Sequence, residues 1–337
     1  MEEDLIRAKA ELISGGPIGL PRDHRPPFRY SRSTAGPGAG DRALVFSFGG
    51  MRVKKAVSAD DGDFEFDPEK RAISKDGDVL VKDVSVIPAD FHCPEQAFFN
   101  LDRRCRFGCL FCSLPLLDDN SVETVDAELI IRSIRGCGNP IRSIALTGGV
   151  CGSVSDSAER MIDCVSELRK EFPELPIGVE PYLDDISQID RLHEAGADEI
   201  KINVETCTEE LFERFCPQLR YDMIFTMLAH CVEVFGEGKV SSNIIVGLGE
   251  TDEELSSMME RLCSMGVTPT IRGLRIGRLV RDRLEKAGVT EQPAPERLMD
   301  IAKMHKDIMA RYGLDPRTFD TMCLKCTCCD LVPFIDL

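Results

Sequence analysis

The chain has 337 residues, with 41 Lys and Arg against 58 Asp and Glu, a formal net charge of −17; 43% of residues are hydrophobic and 29% charged. This is the composition of an ordinary globular protein long enough to bury a sizeable core, and its acidic balance argues against a general nucleic-acid or anionic-membrane binder. No apolar run has the length of a membrane span, and the N-terminus MEEDLIRAKAEL reads as a charged helix without a signal-peptide core, so a cytoplasmic protein is expected.

Residues 1–15 read as an amphipathic helix closed by Gly15-Gly16. Residues 16–41 are rich in Pro, Gly and Arg and lack any helical or strand period, which predicts a long loop. Residues 42–90 alternate short β-type runs (ALVFSF, RVKKAV, DFEF, VLVKDVSVI) with Asp-Gly and Gly-Gly turns, the pattern of a small antiparallel sheet. Residues 1–90 are therefore expected to form an N-terminal accessory region.

From about residue 95 the pattern becomes strand–helix alternation. Strands are predicted at 96–101, 143–147, 177–180, 199–204, 240–247 and 268–274, and helices at 124–135, 156–171, 186–195, 209–215, 221–235 and 252–265. Alternating βα units imply a parallel sheet with right-handed crossovers. The fold class is thus α/β, either an open sheet or a partial (β/α)6 barrel over residues 91–290, with its chemistry at the carboxyl ends of the strands. A last helix at about 294–312 leads into a cysteine-rich tail, so residues 291–337 form a third segment.

Fifteen cysteines are many for a chain without an export signal. Eight are scattered and suit buried core positions. Seven fall in two clusters: Cys105, Cys109 and Cys112, then Cys323, Cys326, Cys328 and Cys329. The first cluster follows the first barrel strand as Cys-Arg-Phe-Gly-Cys-Leu-Phe-Cys. Three thiolates on one loop can hold three irons of a cubane and leave the fourth open. A structural zinc site wants four ligands, and no fourth Cys or His lies nearby in the sequence. His92 and Cys93 precede the strand and are expected at its other end. The five histidines (24, 92, 193, 230, 305) form no spaced cluster, and His193 and His305, in amphipathic helices, are expected at the surface.

In the tail, four thiols within seven residues suggest a metal loop, as three ligands plus a substrate position or as a strained set of four, because adjacent Cys328 and Cys329 do not easily face one small ion. An auxiliary iron–sulfur cluster, a single iron and zinc are the candidates.

The spacing of Cys105, Cys109 and Cys112, with Phe111 just before the last, resembles the radical S-adenosylmethionine (radical SAM) superfamily over about residues 96–274. The resemblance implies a [4Fe-4S] cluster whose open iron takes the amino and carboxylate groups of S-adenosyl-L-methionine, and reductive cleavage to a 5′-deoxyadenosyl radical that removes hydrogen from an unactivated carbon. Leu146-Thr147-Gly148-Gly149-Val150 resembles the family's Gly-Gly-acid motif, with Val150 in place of the acid. Glu180 ends the third strand, and Asn203 and Glu205 end the fourth in a pattern similar to biotin synthase. Gly247 and Gly249 on the fifth strand resemble the adenine-contacting motif, with Thr251 or Asp252 able to cap the following helix. Arg272 and Arg275, near the end of the sixth, are candidates to hold a carboxylate or to form surface ion pairs.

Fold analogy does not choose the reaction. The chain also resembles the methanogen radical SAM enzymes that modify methyl-coenzyme M reductase. That likeness implies cobalamin-dependent C-methylation of a glutamine, a post-translational modification of a protein or peptide substrate, with a reductant such as ferredoxin. The alternative is sulfur insertion of the lipoyl- or biotin-synthase kind, with the tail cluster as donor. A third reading is a non-enzymatic iron–sulfur electron carrier.

Overall fold

The structure, a computed structural model, describes residues 2–21, 24, 26, 28–32, 42–58, 62–117 and 125–337. Half of the Pro/Gly-rich segment, residues 59–61 and the expected helix start at 124 lie outside the described residues. Helix α1 (Glu2–Ser14) lays Ala8, Leu12 and Ile13 against the first sheet. That sheet contains β1 (Ile18–Gly19), β2 (Ser31–Arg32), β3 (Arg42–Phe48), β4 (Met51–Ser58), β5 (Phe64–Asp67), β6 (Ala72–Lys75), β7 (Asp78–Val81) and β8 (Ser85–Ile87). Gly49 and Gly50, both at positive φ, turn β3 directly into β4, a two-residue hairpin that needs glycine for its backbone. The expectation of a purely antiparallel sheet is corrected at one place. β1, from the segment read as loop, inserts between β4 and β5 and runs parallel to both, with Ile18 opposite Val57 and Phe64. Two residues between Pro17 and Pro21 show no alternation, so only the neighbouring strand edges reveal them.

The second sheet has six parallel strands in chain order: β9 (Gln96–Asn100), β10 (Ser143–Thr147), β11 (Ile177–Glu180), β12 (Glu199–Lys201), β13 (Val240–Val246) and β14 (Thr268–Gly273). Each pairs only with its sequence neighbours, and β9 and β14 do not meet, so the architecture is a partial (β/α)6 barrel. The helices between are α2 (Ala127–Arg135), α3 (Val154–Glu171), α4 (Ser187–Ala195), α5 (Glu209–Phe215), α6 (Tyr221–Phe235) and α7 (Asp252–Ser264). Their starts follow local chemistry: Asp126, Ser153, Thr208 and Thr251 cap α2, α3, α5 and α7, and Thr251 forms a full capping box with Glu254. β12 is shorter than the predicted 199–204, because Glu205 takes φ 60° and touches the ladder only through a bridge to Ile244.

After β14 come α8 (Arg281–Lys286), α9 (Pro295–Tyr312) and α10 (Met322–Cys326). α9 packs against both α7 and α1 and so joins the barrel to the first sheet. Because two sides of α9 are covered, His305 is buried rather than at the surface as expected, and burial pushes it down to about 3, leaving it neutral.

The tail then closes the amino-terminal end of the barrel. Gln96, which opens β9, exchanges two hydrogen bonds with the Met322 backbone. Glu199, which opens β12, accepts from the backbone N–H groups of Asp320 and Thr321 and from the Thr321 hydroxyl. Gly178 in β11 leaves the space that Thr321 fills; a Cβ there would stand 2.0 Å from the Thr321 hydroxyl. From the other side, the Lys54 N–H donates to the Cys328 carbonyl (2.8 Å) and the Lys9 ammonium holds Asp336 (2.6 Å) and the Thr327 carbonyl (2.8 Å). The tail is a layer between sheet and barrel.

Candidate active site

The cysteine loop leaves the carboxyl end of β9 and is stitched to the turn after β10. Leu101 N–H donates to Thr147 O, Gly149 N–H to Asp102 O and Arg106 N–H to Val150 O, at 2.7–2.8 Å. Gly149 is needed here, since a Cβ would lie 2.4 Å from the Arg104 carbonyl and 2.9 Å from Cys105 Cβ. Gly148 has ordinary room around it. Val150 is buried, and its backbone carbonyl meets the loop. Asp102 anchors the loop further through Arg104 (3.0 Å) and Arg160 (2.8 Å); burial opposes its charge, but these guanidiniums hold its carboxyl below the usual range.

Cys105, Cys109 and Cys112 are all half-buried on this loop, with Phe111 packed into the core beside them. Burial pushes the Cys112 thiol up to about 12, with Cys109, Cys105 and Glu205 adding to the effect from nearby. Cys109, Cys105 and the Glu205 carboxyl from the fourth strand end thus lie within electrostatic reach of Cys112. A fourth cysteine distant in sequence, Cys216 at the end of α5, is buried in the core cluster against which Cys109 packs. The Leu110 N–H donates to Phe215 O beside it (2.9 Å). Among the described residues no group of three or more His, Cys, Asp or Glu side chains stands ready-made around a single ion. A cubane spreads its thiolates over separate irons, so three thiols on one loop need not converge on a point, and this donor set fits such a cluster.

The barrel interior carries a line of polar side chains. Glu199, Lys201, Asn203 and Glu205 alternate along one face of the fourth strand and its extension. Asn203 Nδ2 donates to Glu180 (2.8 Å) and Glu205 (3.2 Å), while Lys201 pairs with Glu180 (3.0 Å) and reaches the Cys323 sulfur (3.5 Å). Burial works against the Lys201 charge, but Cys323 and Glu180 outweigh it and its pKa is raised. Burial likewise opposes the Glu180 charge, and Lys201 and Asn203 outweigh it and hold the carboxyl low. Glu205, by contrast, is pushed up to about 7 by burial and by the charge of Glu180. Asn243 Oδ1, Thr270 Oγ1 and Arg272 Nε face no hydrogen-bond partner among the described residues although buried. Buried polar atoms are normally satisfied, so these are the places where a polar ligand inside the barrel would bind.

At the fifth strand end, Gly247 and Gly249 sit at φ 105° and 112°, and Glu250 accepts the N–H groups of Gly247 and Leu248 while pairing with Arg297. Thr251, not Asp252, caps the next helix. The two arginines at the end of the sixth strand, Arg272 within it and Arg275 just after it, are not surface residues. Arg272 pairs with buried Asp330 (3.0 Å), and Arg275 donates to the carbonyls of Ile13 and Cys329.

The structure thus gathers Cys105, Cys109, Cys112, Thr147, Gly149, Glu180, Asn203 and Glu205 at the carboxyl mouth, and holds the tail cysteines at the opposite end with Cys93. Lys201 was legible in the alternation of its strand; Cys216, Asp330 and Cys93 carry no spacing signal, because only folding brings them to their partners.

Residues 99–262 match the family described as "Radical SAM superfamily". The chain is similar to mitochondrial lipoyl synthase from Branchiostoma floridae, 28% identical over 173 residues (48% of this chain, 44% of that protein), and to lipoyl synthase from Marinobacter nauticus, 24% identical over 197 residues (55% and 56%). It spans about half the length of the curated relatives it matches. Among solved structures, methylornithine synthase superposes with a TM-score of 0.50 at 17% identity, covering 71% of this chain and 70% of that one, a likeness of fold. With its three-cysteine loop at the mouth of a partial barrel, the segment 99–262 of this chain is similar to the radical SAM superfamily.

Proposed function

We propose that the protein is a radical SAM enzyme that inserts sulfur at unactivated carbon, with a [4Fe-4S] cluster held by Cys105, Cys109 and Cys112. When bound, the cluster and S-adenosyl-L-methionine supply a 5′-deoxyadenosyl radical that removes a hydrogen atom from the substrate. The chain's own residues supply the rest. The loop offers three thiolates and no fourth ligand of its own, while Asn203, Glu180 and Glu205 present donors and acceptors for the amino, carboxylate and ribose groups of the cofactor. The Gly149 turn and Gly247–Gly249 loop offer backbone, and the closed amino end excludes water from the lumen.

The observation that carries the sulfur reading is the Cys323 thiol at the floor of the barrel. Cys323 faces the same interior as the three-cysteine loop, one lysine away from Glu180. The names of the relatives support it as well. The second reading is cobalamin-dependent C-methylation of a glutamine in methyl-coenzyme M reductase, with ferredoxin or another reductant. It shares the radical-forming step and draws support from that step alone. Anaerobically reconstituted protein, once reduced, should convert S-adenosyl-L-methionine to 5′-deoxyadenosine, and Cys105→Ala, Cys109→Ala or Cys112→Ala should lower the yield at least 100-fold. An unchanged yield in these variants rejects the radical reading. Under single turnover, sulfide lost from the protein in step with product marks sulfur insertion; a bound corrinoid and a methylated peptide mark the alternative.

A further inference from the structure

The wall of the barrel formed by β13 and β14 carries polar side chains that the cofactor-facing residues leave unused. The two strands pair with Ser241 opposite Thr268, Asn243 opposite Thr270 and Ile245 opposite Arg272. Ile271 and Gly273 of β14 line one space with Leu298 and Ile301 of α9, outside the barrel. Side chains alternate along a strand, so Thr268, Thr270 and Arg272 point into the lumen, and their partners on β13 share that face. Thr268 Oγ1, Thr270 Oγ1, Asn243 Oδ1 and Arg272 Nε are all buried without a hydrogen-bond partner among the described residues. The two threonines are 0% and 3% exposed and Asn243 8%. Buried polar atoms are normally paired, and each one left unpaired costs stability, so four on one wall mark a place that fits a polar ligand. The lumen beside them is open: Arg272 and Glu180 keep 21% and 20% of their side-chain surface accessible.

The second observation is charge. Lys201 pairs with Glu180 and Arg272 with Asp330, each at 3.0 Å, and Glu205 adds a third carboxyl whose partner is the Asn203 amide (3.2 Å). A carboxylate ligand would enter beside three carboxyls with both cations already matched, a poor exchange for its hydration. An ammonium donates only, and gives Arg272 Nε nothing to donate to. A neutral amide does both: its carbonyl accepts from the guanidinium and the Thr270 hydroxyl, and its N–H donates to Asn243 Oδ1.

We infer that the β13–β14 wall is a substrate subsite for an uncharged amide group, held by Asn243, Thr270 and Arg272. The carboxylate clamp that the sequence suggests for Arg272 is thereby replaced, since Asp330 already matches its charge. The inference deepens the proposed radical reading and rests on it for the fate of the bound molecule: the amide anchors the substrate inside the lumen, and the carbon that loses hydrogen lies nearer the three-cysteine loop at the mouth.

The test compares pentanamide, pentanoate and pentylammonium, equal chains with different heads, in ligand-observed NMR titrations of the full-length protein. The same titrations on the chain carrying Cys105→Ala, Cys109→Ala and Cys112→Ala read binding without the radical step, so a failure here is separate from a failure to form 5′-deoxyadenosine. Pentanamide should saturate one site in both proteins, with pentanoate and pentylammonium at least ten-fold weaker. Thr270→Val and Asn243→Leu should each weaken the amide at least five-fold, while Ser264→Ala, at the exposed end of α7, leaves it unchanged. Removing an unpartnered buried hydroxyl costs the free protein nothing, so Thr270→Val should also keep or raise the thermal midpoint, which a hydroxyl with a purely structural role would not allow. No saturable pentanamide binding, pentanoate or pentylammonium binding as tightly as the amide, unchanged amide affinity in both wall variants, or a midpoint lowered by more than about 2 °C in Thr270→Val overturns the inference.

Discussion

Glu205 shows how one residue can bind charge chemistry to backbone strain. It is a non-glycine residue at φ 60°, at the point where β12 leaves the ladder, and its carboxyl is pushed up to about 7 by burial and by Glu180. A raised carboxyl pKa favours folding below the unfolded value and loses that contribution as pH rises through the folded one. Metal-free protein should therefore lose stability between about pH 5 and 8 by ~2–3 kcal/mol from this group. Glu205→Gln should flatten that slope in denaturant melts across the range; an unchanged slope would place the titration elsewhere. Gly149 argues from space instead. Gly149→Ala puts a methyl against the Arg104 carbonyl, where backbone cannot yield cheaply. It should cost about 1–3 kcal/mol and reduce iron bound at the three-cysteine loop, whereas Gly148→Ala, with room around it, should do neither.

At the scale of elements, the tail is held by interactions that no local pattern announces. The Lys9–Asp336 pair is wholly buried, and Asp336 also accepts the Val332 N–H. Asp336→Ala strands the ammonium of α1, which should cost about 3–5 kcal/mol, while Lys9→Met with Asp336→Asn should recover most of it; thermal melts of the three proteins decide. The helices and strands of the barrel were legible because each repeats a period and ends in a cap or glycine, and β10, β11, α5 and α6 fall on their expected bounds. β1 and the burial of His305 were not, since both depend on what packs alongside.

Across the molecule, the fourth strand joins the two cysteine-bearing ends: Glu199 grips the tail at one end, Glu205 lies within electrostatic reach of Cys112 at the other, and Lys201 and Asn203 connect them. Lys201→Met leaves Glu180 buried without its cation and should destabilise the protein by about 3–5 kcal/mol. The double variant with Glu180→Gln should be less damaged than the sum of the singles, with a coupling of about 1–3 kcal/mol in a double-mutant cycle.

By itself the amino-acid sequence determined the alternating βα plan, the three-cysteine loop after the first strand and the family to which they point, because hydrophobic period and ligand spacing are local properties. Only the tertiary structure decided that the tail seals the amino end of the barrel, that Arg272 meets Asp330, that Cys216 lies in the core against which Cys109 packs and that Cys93 joins the tail thiols. Those pairings link residues far apart in the chain, and burial, charge balance and the room left by glycines such as Gly178 select them only when the sheets have closed around one another.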